Sequence, residues 1–193
     1  MKKFFLGLLL LGSTLCANPH HSPELSAPLK ALYRMQETKQ LIEAVEAQGT
    51  LTLKAAYLGP EATQAAWYPN ERAIYINYSN QGTEGSVIRF LVFELNNALI
   101  EKQFGYMDYL ATQGKISKEE YVRTVEQLEF QNAQRALALL KKGVEKGVFP
   151  ADAADWPVPS SFAEHYKMQL EAGHSQAIAN LYDQLRNVQQ KNQ

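Results

Sequence analysis

Residues 87–95 read VIRFLVFEL, and seven of these nine side chains are apolar. A helix built from them has almost no polar face, so it belongs inside a domain and not on its surface. Thr83 or Ser86 is placed to cap such a helix, which is expected to run from about 84 to 104. The stretch holds one carboxylate, Glu94, and two amides follow it, Asn96 and Asn97. A buried ionised carboxylate is costly unless paired. Structural pairing is therefore the first expectation for Glu94, with Arg72, Arg89, Arg123 or Asn132 as partner. A ligand contact and plain exposure are the alternatives.

The rest of the chain must cover this helix. Apolar residues at 29, 32, 33, 35, 41, 42 and 45 have helical spacing, and Gly49 sits where a C-terminal cap belongs. TLTLKAAYL (50–58), AAWY (65–68) and RAIYINY (72–78) read as strands, with Pro69 and Asn70 in the turn between the last two. Their short connections predict antiparallel neighbours. A short helix is expected over 106–113. Ser117 and Glu120 form a capping box that opens a long helix to about 144. SSFAE (160–164) opens another, Gly173 stops it, and a last amphipathic helix begins at His174. The order predicts one α+β domain over 29–193: an N-terminal helix, a small antiparallel sheet of about three strands, a buried central helix and a mainly helical C-terminal half.

The first residues have the three-part layout of a secretory signal: two lysines, an apolar run from 4 to 11, then small residues. Cleavage is expected near Ala17, which makes the protein secreted or periplasmic. Lipid anchoring at Cys16 is the rival, and Leu15 before the cysteine argues against it. Residues 18–28 read as a flexible lead, with His20 and His21 exposed. Removing 1–17 removes the sole cysteine, so disulfides are excluded and the core must hold the fold. With 19 basic and 20 acidic residues and no basic run, nucleic acid is not an expected partner. No apolar run after the signal is long enough to span a membrane.

A helix, a small sheet whose last strand reads AIYIN, a loop and a buried helix carrying FELNN resemble the core of the zincin metallopeptidases. That family's central helix carries H-E-x-x-H, with two zinc-binding histidines and a glutamate that polarises the bound water. The resemblance places Phe93 and Asn97 at the histidine positions and Glu94 at the general base. Glu126 or Glu129, in EQLEFQNAQ, resembles the third ligand. Phenylalanine cannot bind zinc and an amide oxygen binds it poorly. The resemblance therefore implies a degenerate scaffold with no metal or other cofactor, and a partner held by edge-strand addition, as zincins hold peptide.

Other constellations are thinner. His165 and His174 lie nine residues apart, which is not a chelating step within one helix. Ser160 or Ser161 with His165 and Asp155 lacks the frame of a nucleophile elbow. Glu94 and Glu129 could pair for glycoside hydrolysis only if folding sets them a few ångströms apart. Tyr75 and Tyr78 alternate with apolar residues and can form an aromatic ledge for a peptide or sugar. The expectation is an exported non-catalytic binding protein for a peptide or protein, with Glu94, Asn97, Tyr75, Tyr78 and Glu129 as binding candidates. A hydrolase centred on Glu94 and a purely structural helical domain are the alternatives.

Overall fold

A computed structural model describes residues 19–59, 63–79 and 82–191. The signal peptide, its cleavage point and Cys16 lie outside the described residues.

The N-terminal helix begins earlier than its spacing predicts and is broken in two. α1 is Ser26–Arg34 and α2 is Gln36–Glu46. Between them Met35 is extended, with φ −106° and ψ 122°, and its side chain is buried. The Thr38 hydroxyl donates to the Leu32 carbonyl at 2.5 Å and to the Met35 carbonyl at 3.1 Å. The hydroxyl bridges the break: the Leu32 carbonyl, which lies four residues before Gln36, accepts from Thr38, while the Met35 carbonyl also keeps its helical bond from the Lys39 N–H at 3.0 Å.

The sheet is mixed, with four strands in the order β1-β2-β4-β3. β2 is Thr52–Ala56, β3 is Ala65–Tyr68 and β4 is Ala73–Asn77. Only β3 and β4, joined by the tight turn at 69–72, are antiparallel as expected. β2 and β4 are parallel, with Thr52 opposite Ala73 and Ala56 opposite Asn77. This corrects the expectation of three antiparallel neighbours. A parallel pair needs a crossover, and β3 with its loops supplies it. After β2 the chain next enters the sheet as β3, on the far side of the β4 position. The most apolar strand, β4, is left in the interior with a partner on each side, as its near-continuous burial requires.

Within 18–28, expected as a flexible lead, the described residues are ordered into a short strand, a 3₁₀ turn at Pro23–Leu25 and the start of α1. His20–His21 forms β1, parallel to β2, and both histidines are exposed. Ser22 fastens it: its backbone N–H donates to the Leu53 carbonyl at 3.0 Å and its hydroxyl accepts from the Ala55 N–H at 3.0 Å. An open β2 edge carries backbone groups that seek partners, and this segment meets them.

α3 is Glu84–Leu99, capped by Thr83, whose hydroxyl accepts from the Ser86 N–H at 3.1 Å. Val87, Ile88, Leu91, Val92 and Leu95 are buried, as the sequence demands, against Leu32, Ile42, Leu53, Ile74 and Ile76 of α1, α2 and the sheet. A kink at Ile100 leads into α4, Glu101–Thr112. α5 is Lys118–Glu145 and opens with the expected Ser117/Glu120 capping box. A short 3₁₀ turn, Ala151–Ala154, is followed by α6, Phe162–Ala172, and α7, His174–Lys191. A second apolar cluster, around Met107, Tyr121, Val125 and Ile178, joins α4, α5 and α7. The expected α+β class with a helical C-terminal half is what the structure has. Among the described residues no helix is long and apolar enough to cross a membrane.

Near its end α5 passes so close to Phe149 that a Cβ on Gly143 would lie 2.0 Å from the ring. Phe149 is itself buried in the main core and has little room to move. Gly143→Ala should therefore destabilise by about 1–3 kcal/mol through overpacking, despite the better helix propensity of alanine. Chemical denaturation would read this as a lower midpoint; an unchanged or raised midpoint would contradict the packing.

Candidate functional site

Glu94 is buried on α3, with 6 % of its surface exposed. Its Oε2 accepts from the Trp67 backbone N–H at 3.0 Å and from Asn97 Nδ2 at 3.2 Å. Asn97 Oδ1 accepts from Asn132 Nδ2 at 2.9 Å, and Asn132 Oδ1 accepts from Arg135 Nη1 at 3.3 Å. Of the four partners expected for Glu94, only Asn132 belongs to its network, and it acts through Asn97. Arg72 instead pairs with Glu101 at 3.3 Å and donates to the Val45 and Gly49 carbonyls. Arg89 bonds the Asp155 carbonyl, and Arg123 lies over the Phe162 and Tyr166 rings.

The Trp67 N–H has a particular meaning. Asn77 N–H donates to the Gln64 carbonyl, so by antiparallel alternation the Trp67 N–H faces away from β4, out of the sheet edge. Glu94 fills that outward donor. Burial pushes the Glu94 carboxyl up to about 7 against the Asn97 hydrogen bond, and the charge of Glu129 adds to the rise. Glu94 and Glu129 are thus electrical neighbours.

Tyr75 and Tyr78 are not part of this group. Tyr75 hydroxyl bonds Glu71 at 2.6 Å and Lys54 at 2.7 Å, and its ring meets Tyr68 edge-on at 4.8 Å. Tyr78 hydroxyl donates to the Glu24 carbonyl at 3.2 Å. The structure therefore joins Glu94 and Asn97 by a hydrogen bond, places Glu129 at a cleft beside His174, and leaves the two tyrosines on strand contacts of their own.

A second cluster was not visible in the sequence. Glu126 is fully buried; its Oε1 accepts from Ser175 Oγ at 2.6 Å and lies 3.2 Å from His174 Nδ1. Its Oε2 is 3.4 Å from His165 Nε2, and His174 Nε2 is 3.7 Å from Glu129 Oε2. Burial opposes ionisation of Glu126, but hydrogen bonds from His174 and Ser175 and the charges of both histidines hold its carboxyl below the ordinary range. The hydrogen bond to Glu126 raises His174, whereas burial lowers His165. Burial pushes Glu129 up to about 7, with His174 opposing and Glu126 adding. A cleft of about 190 Å³ opens beside these groups. Its walls include Phe93, Trp156, Pro157 and Pro159, and its polar side is Glu129, His165 and His174. Phe93 meets Trp156 edge-on at 5.4 Å.

Glu126 and Glu129 are one helical step apart on α5, which sequence alone offered as ligand positions. The histidines were missed because a chelating step is a rule about one helix. Here Gly173, with φ 81°, turns the chain between α6 and α7 and brings His165 and His174 to the same carboxylate. Comparison with protein-family models, curated proteins and solved structures finds no match to this chain.

Folding raises the Glu94 carboxyl, so the fold prefers its protonated form. The stability this contributes is complete below the ordinary carboxyl range and is lost as pH rises through about 7. Glu94→Gln keeps a neutral acceptor for Trp67. Relative to this variant, the wild type should lose on the order of 2–3 kcal/mol between about pH 5 and about pH 8. Thermal melts of both proteins across that range would test it, and parallel pH curves would refute it.

Proposed function

We propose that this is an exported, non-catalytic binding protein on a zincin-like but degenerate scaffold, and that a peptide or protein partner enters the cleft between α3, α5 and α6. The observation that carries this reading is the engagement of Glu94. Its buried carboxylate bonds an edge-strand N–H and Asn97, the residue at the second histidine position of the resemblance. The first position holds Phe93, which packs on Trp156. A hydrolase centred on Glu94 needs that carboxylate beside water and substrate, whereas Glu94 is buried and is not among the residues that line the cleft.

The element order supports a zincin-like reading: an antiparallel edge hairpin leads straight into a buried helix whose glutamate turns back to the edge strand. The binding mode differs from edge-strand addition. The outward Trp67 N–H is already occupied, so a docked strand would lose that bond. The cleft on the other side of Phe93 is open. Aromatic and proline walls around a polar side suit an apolar side chain of the partner flanked by hydrogen-bonding groups. A purely structural domain would fill this space with side chains.

Trp156 is the anchor this reading requires. Peptides selected from a random displayed library on the wild-type protein should converge on a sequence pattern, and Trp156→Ala should weaken their binding at least tenfold. A library with no convergent binders, or binders that ignore Trp156→Ala, would sink the reading.

A further inference from the structure

Only half of the Glu126 carboxylate is accounted for by hydrogen bonds. Oε1 serves Ser175 and His174. Oε2 is as deeply buried and has no hydrogen-bond partner among the described residues. His165 Nε2, 3.4 Å away, is also buried without one; the two are close enough to attract but off the line of a hydrogen bond. Leaving buried polar atoms unpaired costs about 1–3 kcal/mol each. The carboxylate comes from α5 and the imidazoles from α6 and α7, with the Ser161 cap and the Gly173 turn setting the latter two. One ligand atom each from Glu126, Glu129 and His174 fall within 4.8 Å of one another.

We infer that Glu126, Glu129 and His174 bind a divalent transition-metal ion of the zinc class, with His165 completing the set. In tetrahedral zinc sites, bonds of about 2.0–2.2 Å put ligand atoms roughly 3.3–3.6 Å apart. Glu126 has two separations of that size, 3.2 Å from its Oε1 to His174 Nδ1 and 3.4 Å from its Oε2 to His165 Nε2; Glu129 Oε2 lies 3.7 Å from the other ring nitrogen of His174, so the side chains must draw together around the ion. Two imidazoles with two carboxylates suit zinc better than magnesium or calcium, which take oxygen ligands. Such an ion satisfies both unpaired atoms at once. Ser175 holds Glu126 Oε1 in place. The site uses no residue of α3; of the ligand positions in the resemblance it keeps only the third, at Glu126 or Glu129, and its imidazoles come from α6 and α7. It ties α5, α6 and α7 to one centre and does not depend on the partner reading above.

The test is zinc or cobalt binding by the purified, metal-stripped protein. After loading and desalting, about one ion per chain should remain, the melting temperature should rise, and Co²⁺ should give the visible absorption of a tetrahedral nitrogen–oxygen site. Glu129 is partly exposed, so Glu129→Gln should fold normally and weaken binding at least tenfold. His174→Ala should weaken it further. The exposed pair His20 and His21 is the control: changing both to alanine should leave binding unaltered. Absence of stoichiometric metal, binding unaffected by Glu129→Gln, or binding lost only with His20 and His21 would each overturn the inference. If His174→Ala does not fold, Glu129→Gln decides alone. Peptide selection on the metal-stripped protein reports separately on the partner reading.

Discussion

The hydrogen bond from the Trp67 backbone to Glu94 joins the two parts of the fold that most need each other. α3 has no polar face, so its polar side chains must find partners inside the protein. β3 is an edge strand, and its outward N–H groups need acceptors or must stay wet. At Trp67 these needs cancel: the helix supplies a carboxylate and the strand supplies a donor. The cost is desolvation of an acid, visible in a carboxyl raised to about 7. Asn97 shares that acid, and Asn132 extends the chain of bonds to α5. Helix, sheet edge and long helix are thereby registered to one another by polar contacts within an apolar interior.

That registration shapes the C-terminal half. α5 packs its later turns on α3, where Ala136 and Leu140 belong to the main core, and its early turns on α4 and α7, where Tyr121 and Val125 form the second cluster. Glu126, Glu129 and Asn132 occupy the stretch between the two clusters. Phe130 and Ala133 are buried there too, with Phe130 packed on Phe162 of α6. The carboxylates and the histidines of α6 and α7 fill the seam, and the cleft opens along it.

Much of this was readable from residue types in series. The apolar run of α3, the Ser117/Glu120 box, the cap before α6 and the Gly173 stop are local signals, and each lies where the spacing puts it. What could not be read depends on backbone groups and on neighbours distant in sequence. The sequence offers Glu94 three arginines and Asn132; Asn132 joins its network through Asn97, but the Trp67 donor is a backbone N–H, which no residue type announces. The β2–β4 pairing is parallel because β3 travels to the far edge, a choice made by burial of β4 and not by loop length. The break in the first helix lies at extended Met35, where the Thr38 hydroxyl bonds carbonyls on both sides, a contact that a helical pattern does not announce. His165 and His174 converge only through the turn at Gly173.

The two carboxylate centres illustrate different solutions to one electrostatic problem. Glu94 is buried with neutral donors only, so nothing offsets its desolvation except hydrogen bonds, and its carboxyl shifts upward. Glu126 is buried more completely, yet two imidazoles and a hydroxyl more than offset the same penalty, and its carboxyl shifts downward. A carboxylate kept ionised inside a protein, with basic nitrogens around it and one oxygen unpaired, is prepared for a cation in a way that Glu94 is not. If the scaffold is zincin-like, the glutamate of its central helix has become part of the frame. The charge that can do work then sits one helix further on, at the seam where α5, α6 and α7 meet.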